Sequence, residues 1–340
     1  MNGARGKTET QIKRAMGFTN TDENMKKRDD IAKEFGELIK QYSKETPDLC
    51  ILAANLMAVS KDIEIKPQFR SIGRQYNAKV TTENFQKAAK VQKKINIWVA
   101  NQTLNMIPEM MKNPPPQEMA MIIISAIYFM GKWNETFNAN QTKPKSFKNS
   151  DGSTSEVPMI SKRGPSLLYL EKGSFESTPL KKKILEIPYK YLGSMYILLP
   201  KSGEKPQKIL DEIDPKILLD DLKALREEKL DLISIPKFKI EQEYDLKKVL
   251  GKMGMKDAFT AHKADFTGIS STPTYVSQST HKAVVEIDEE GSHAAAATEI
   301  LVISKSARAR KSFIANRPFI FLIRDRTNSI TLFAGIINKL

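Results

Sequence analysis

Residues Gly291 to Lys311 read GSHAAAATEILVISKSARARK. Gly291 and Ser292 are small, His293 is ionisable, and Ala294, Ala295, Ala296 and Ala297 offer only methyl groups. Alanine favours helix, but Thr298 opens the run TEILVIS, whose β-branched residues favour an extended strand. Lys305 follows, then Ser306, Arg308 and Arg310 in the small-residue context SARARK. A basic side chain there suits the acidic pocket of a trypsin-like protease. Placed between GSH and a strand former, the alanines read as a hinge and not as an exposed helix. A hinge without bulk, a strand former and cleavable basic residues thus stand in series.

The composition gives this segment a folded setting. The chain has 340 residues, 40% apolar and 28% charged, as in an ordinary globular protein with ample material for a core. Its longest apolar run, Ala120–Met130, is too short to cross a bilayer and reads as a buried strand. No apolar signal peptide stands at the start, MNGARGKTET. The single cysteine, Cys50, excludes an intrachain disulfide and reads as a small buried hydrophobe. Three histidines and one cysteine give no zinc spacing, and there is no phosphate-binding glycine motif and no nucleophile elbow. No catalytic residue, metal ligand or cofactor site can be nominated.

A formal charge of +14 points to anionic company. Basic residues cluster at Lys26, Lys27 and Arg28, across Gln86–Lys94 with Lys93 and Lys94, at Lys181–Lys183 and at Arg308–Lys311. No aromatic residues interleave with them as a single-strand platform requires, so nucleic acid is excluded as a partner. A heparin-like glycosaminoglycan is the better candidate; the alternative is a solvated lysine-rich surface.

Apolar spacing predicts amphipathic helices over Asn24–Tyr42 and Lys93–Met111, with shorter ones over Pro206–Leu225 and Tyr244–Met253. Strands are expected at Met121–Met130, Ile184–Ile187, Met195–Leu199, Leu230–Ile235, Ala283–Ile287, Phe319–Ile323 and Ile330–Ile336. Without regular β-α-β alternation or a linker, the pattern indicates one compact α+β domain and not a doubly wound sheet.

Six stretches in order resemble the serpin family of serine protease inhibitors. They are IYFMGKWNETF (Ile127–Phe137), LEIPYKYLGSMYILLP (Leu185–Pro200), PKFKIEQEYDLKKVLGKMGMKDAF (Pro236–Phe259) with ADFTGIS (Ala264–Ser270), HKAVVEIDEEGSHAAAAT (His281–Thr298), ANRPFIFLIRD (Ala315–Asp325) and LFAGIINKL (Leu332–Leu340). The resemblance implies a large central mixed sheet, two further sheets, surrounding helices and an exposed reactive-centre loop at about residues 291–311, within a serpin domain covering residues 1–340. It implies a suicide-substrate inhibitor of trypsin-like proteases. The protease cuts after Lys305, releases Ser306, and is trapped when the loop inserts into the sheet. Arg308 and Arg310 are alternative bait positions. A non-inhibitory carrier, store or chaperone of the same fold, or an inert truncated product, is the alternative.

The resemblance also places Trp133, His281 and Ser125 near the point where the sheet opens. Ser125 stands where the family often has asparagine, and His293 where inhibitory members commonly have glutamate. Trp98 is expected to anchor a helix lying across the sheet. The opening residues resemble the family's third helix, so two helices, a strand and a secretory signal are expected upstream. The expected form is an extracellular monomer, with sequons at Asn101, Asn134 and Asn140.

Overall fold

The computed structural model describes residues 1–18, 28–42, 48–171, 182–191, 193–212, 214–290 and 311–340. Among them, strands and α-helices are numbered in chain order. A five-stranded sheet runs β11 (Phe238–Asp245), β12 (Gln278–Ile287), β3 (Met121–Gly131), β1 (Leu49–Ser60) and β2 (Ala78–Glu83). A four-stranded sheet runs β13 (Ser312–Ile314), β10 (Leu232–Pro236), β5 (Thr154–Arg163) and β4 (Lys143–Lys148). A six-stranded sheet runs β15 (Ile330–Ile337), β14 (Phe319–Asp325), β8 (Ser194–Pro200), β7 (Lys182–Pro188), β6 (Ser166–Glu171) and β9 (Arg226–Lys229). The helices are α1 (Gly6–Ala15), α2 (Arg28–Tyr42), α3 (Pro67–Gln75), α4 (Ala88–Gln102), α5 (Pro206–Glu212), α6 (Pro215–Lys223) and α7 (Leu246–Lys252).

Two compact units make up the chain, Met1–Phe129 with Ile240–Val285, and Met130–Lys239 with Glu286–Leu340. Each is built from two separated segments, so neither is a contiguous domain. In the first, Ile12, Val59, Phe69, Met121, Phe259, Phe266 and Ile269 share a core. The ADFTGIS turn fastens α1 there: Arg5 N–H donates to the Asp265 carbonyl at 3.0 Å, and Asp265 N–H to Thr8 Oγ1 at 3.0 Å. In the second, Ile184, Tyr196, Leu198, Ile209, Ile320 and Leu322 form a core. Every residue of β8 and β14 is buried. Covered on both faces, these strands read as continuous apolar runs with no alternation.

All seven expected strands are present, with shifted ends. The helices differ more. Helix α4 begins five residues before the expected Lys93 and stops at Gln102, nine residues before Met111. It is held down by Val91, Ile95 and Val99, one face of a helix packed on β1. It stops because Leu104 and Asn105 adopt left-handed backbone angles (φ 49° and 60°) and the Thr103 hydroxyl turns back to the Val99 carbonyl at 2.8 Å. The single helix expected over Pro206–Leu225 is two, α5 and α6. Extended Asp214 caps the second, accepting from the Lys216 N–H at 2.7 Å, and Pro215 opens it. The expected Tyr244–Met253 helix starts at Leu246, capped by Asp245.

Candidate functional site

Strands β12 and β3 are parallel neighbours in unbroken register from Gln278 opposite Ile122 to Val285 opposite Phe129. Their seam is unusual in one respect. The chain leaving β12 can turn back only antiparallel, and an antiparallel strand placed between two parallel ones satisfies both edges. Strand alternation sends successive side chains of β12 to opposite faces. His281 and Lys282 therefore serve different faces of the sheet.

His281 stands opposite Ser125 across the seam, and its Nδ1 lies 3.2 Å from the Ser125 hydroxyl. The imidazole also stacks beside Tyr244, ring centroids 6.4 Å apart. Burial lowers its pKa below the ordinary 6.5, against the opposing pull of the Ser125 bond. The native seam thus prefers neutral His281. The unfolded or opened chain takes the proton more readily, so this contribution to stability is intact above about pH 6.5 and is lost as pH falls through the lower native value.

Trp133 works in a second cluster, where β3 has ended. It is 1% exposed, stacks on Tyr189 at 4.5 Å and meets Phe137 edge-on at 6.0 Å. Its indole Nε1–H donates to the Asp288 carbonyl at 2.9 Å, and its backbone N–H to the Glu290 carbonyl at 2.8 Å. Phe137 N–H donates to the Glu289 carbonyl at 2.7 Å. Three consecutive carbonyls, the last before Gly291, are thus tied to one turn of chain. The Glu289 side chain accepts from Lys237 Nζ at 2.8 Å and Thr142 Oγ1 at 2.7 Å. Burial pushes its carboxyl pKa up, but the lysine and threonine outweigh that and hold it below the usual carboxylate value. The Lys237 ammonium is raised in return, chiefly by its bond to Glu289. Sequence reasoning found Trp133 but missed Glu289 and Lys237. Their signal, opposite charges 52 positions apart, is not legible along a chain.

The expected hinge, Gly291 to Thr298, and the bait residues Lys305, Ser306, Arg308 and Arg310 lie outside the described residues. The chain is described again from Lys311, whose Nζ pairs with Glu228 at 2.9 Å just before β13. Lys26 and Lys27 also lie outside, and Arg28 is described only as the first residue of α2. Lys93 and Lys94 lie on α4. With Lys90, Ile97, Trp98 and Asn101 they line a shallow depression of about 420 Å³, and Lys94 pairs with Glu83. Trp98 is not the anchor expected of it. The ring is half-exposed, with the Lys79 ammonium 5.4 Å from its centroid.

A family model described as Serpin (serine protease inhibitor) matches residues 1–340. The chain belongs to the serpin family. It is 32% identical to leukocyte elastase inhibitor of Bos taurus over 98% of this chain and 87% of that protein, and 33% identical to leukocyte elastase inhibitor of Xenopus tropicalis over the same shares. Serpin B6 of Pongo abelii is 32% identical, again over 98% and 87%. Among solved structures, native protease nexin-1 with heparin superposes with a TM-score of 0.86 at 26% identity, covering 100% of this chain and 88% of that one. Human thyroxine-binding globulin superposes at 0.87, also at 26% identity, covering 99% and 87%. The three-sheet architecture of this serpin is therefore that of its family. Among its described residues no helix is long and apolar enough to cross a membrane.

Two expectations follow. Between about pH 6.5 and pH 5 the thermal midpoint of the wild type falls, and that of His281→Gln falls by less; equal slopes in scanning calorimetry refute the assignment to His281. Trp133→Phe keeps a ring against Tyr189 but orphans the Asp288 carbonyl, and urea unfolding should show a loss of about 1–3 kcal/mol.

Proposed function

We propose that this serpin inhibits trypsin-like serine proteases as a suicide substrate cut after Lys305. The observation that carries the proposal is the parallel β3–β12 seam directly upstream of an alanine hinge in a chain of this family. The protease serine attacks the Lys305 carbonyl, an acyl ester forms, and the amine of Ser306 leaves at the head of Ser306–Leu340. The freed loop enters the seam antiparallel to both neighbours. The small residues from Gly291 to Ala297 pass between the strands without steric conflict, and TEILVIS continues as strand. Fourteen residues from Gly291 to Lys305 span roughly 46 Å when extended at about 3.3 Å each. The acylated protease is carried that far before water can release it. Inhibition is a race between insertion and deacylation.

The names of the relatives favour a second target. Leukocyte elastase inhibitors act on a protease whose pocket takes small side chains, and Val302, Ile303, Ala307 and Ala309 flank Lys305 in this loop. Mixing the protein separately with trypsin and with elastase, then reading denaturing gels and intact mass, decides between them. A covalent trypsin adduct with release of Ser306–Leu340, abolished in Lys305→Ala, is expected. Release of Ser304–Leu340 in an elastase adduct transfers the bait to Ile303; fragments beginning at Ala309 or Lys311 transfer it to Arg308 or Arg310. Cleavage without an adduct by either protease makes this a substrate-like, non-inhibitory serpin.

A heparin-like polyanion is the proposed accessory partner, seated on α4. Between Asn84 and Pro108 the chain holds Lys87, Lys90, Lys93 and Lys94 and no acidic residue. Lys87 and Lys90 lie at the helix N-terminus, where the macrodipole disfavours cations, so helix stability does not account for them. The solved neighbour titled protease nexin-1 with heparin supports the same ligand class. Replacing the four lysines by glutamine should weaken heparin binding roughly tenfold or more at about 0.1 M salt. Unchanged elution from a heparin column removes α4 from the proposal. Export to the extracellular space, expected from the sequence, finds no support in the relatives and is no part of it.

A further inference from the structure

Residues 103–120, which lead from α4 to β3, are fastened on two sides. On the helix side, Asn96 Oδ1 accepts the N–H groups of Met110 and Met111 at 3.1 and 2.8 Å. Asn96 Nδ2 and Gln92 Nε2 both donate to the Met111 carbonyl, at 2.9 and 3.0 Å. Ile107, Met110 and Met111 are buried, so this strap is packed as well as bonded. On the sheet side, Lys282 of β12 donates to the Glu109 carbonyl and pairs with Glu241 of β11 at 2.6 Å.

Lys282 is only 3% exposed, and a buried ammonium is costly unless such partners meet it. Opposite it in register stands Ala126 of β3, a methyl group beside the long lysine arm. Helix α4 packs on β1, and β3 lies between β1 and β12. The chain of contacts Asn96–strap–Lys282 therefore bridges from the β1 side of β3 to the β12 side, across the seam.

We infer that Lys282 is a positioning residue, a latch that ties the strap to β12 and sets the rate at which the seam opens. The inference rests on the insertion reading proposed above. Admitting a strand parts β12 from β3 by about 4.8 Å more, while a hydrogen bond is lost within roughly half an ångström beyond its normal range. The Lys282–Glu109 bond breaks early in that movement, or the strap is torn from Asn96. The two fastenings act in series, and releasing either one releases the seam.

The test is uptake by the full chain of a synthetic peptide copying Gly291–Ser304, followed by native gel and by the rise in thermal midpoint on incorporation. This reads seam opening without any protease, so it is independent of where the bait lies. Lys282→Met should take up peptide roughly tenfold faster than wild type, while Lys282→Arg, which keeps the donors, stays near the wild-type rate. Asn96→Ala should also be faster, and the double variant no faster than the quicker single, because the links are in series. Lys282→Gln, a shorter arm without charge, gives the same reading if Lys282→Met does not fold. A wild-type rate in the Lys282 variants, or accelerations that multiply in the double variant, overturns the latch. Wild-type protein that takes up no peptide at all sinks the insertion reading itself, and the latch with it.

Discussion

The parallel ladder between β3 and β12 is the constraint on which the rest depends. Eight consecutive residue pairs hold it, and each strand presents to the other an edge that an antiparallel strand satisfies equally well. A sheet is ordinarily safest when its strands are paired inside it. Here the risk lies within, because the segment able to insert is joined to β12 through three tied residues and a hinge of small side chains.

The balance of magnitudes explains why a few side chains matter so much. An inserted strand of fourteen residues adds hydrogen bonds worth about 0.5–1.5 kcal/mol each, so the drive toward insertion is on the order of 10 kcal/mol. The tie at Trp133 or the Glu289–Lys237 pair opposes it with about 1–3 kcal/mol each. Restraints of that size do not outweigh the drive at equilibrium. They raise a barrier, and the closed form then persists as a matter of rate. A substitution at such a position changes how long the closed state lasts far more than it changes the core.

How much of this was legible follows the range of each interaction. Apolar runs such as Ala120–Met130 announce β3 because its burial is written in consecutive residues. The hinge was legible for the same reason, since freedom from steric conflict is a property of each residue alone. The end of α4 was not. Ile107, Met110 and Met111 continue a helical apolar spacing past Gln102, yet they are buried in the strap, held by Asn96 and turned there by left-handed Leu104 and Asn105. Leu and Asn in that backbone region give no local warning beyond a weak asparagine preference. The break between α5 and α6 was written in Asp214–Pro215, an N-cap followed by proline, and was overridden by the apolar pattern around it.

The same distinction separates the two neighbours His281 and Lys282. Histidine in a strand announces chemistry by its type, and its partner Ser125 sits opposite in register. Lysine in a basic chain announces nothing, and it became informative only once β12 placed it away from water against a backbone carbonyl of a loop 173 positions earlier. Because alternate residues of a strand face opposite ways, adjacent positions hold the seam from both faces by unlike means. One is a neutral ring whose protonation weakens it, and the other a charge whose fixed sign keeps it closed. A fall in pH acts on the first and leaves the second in place, so acid loosens the seam without releasing the strap.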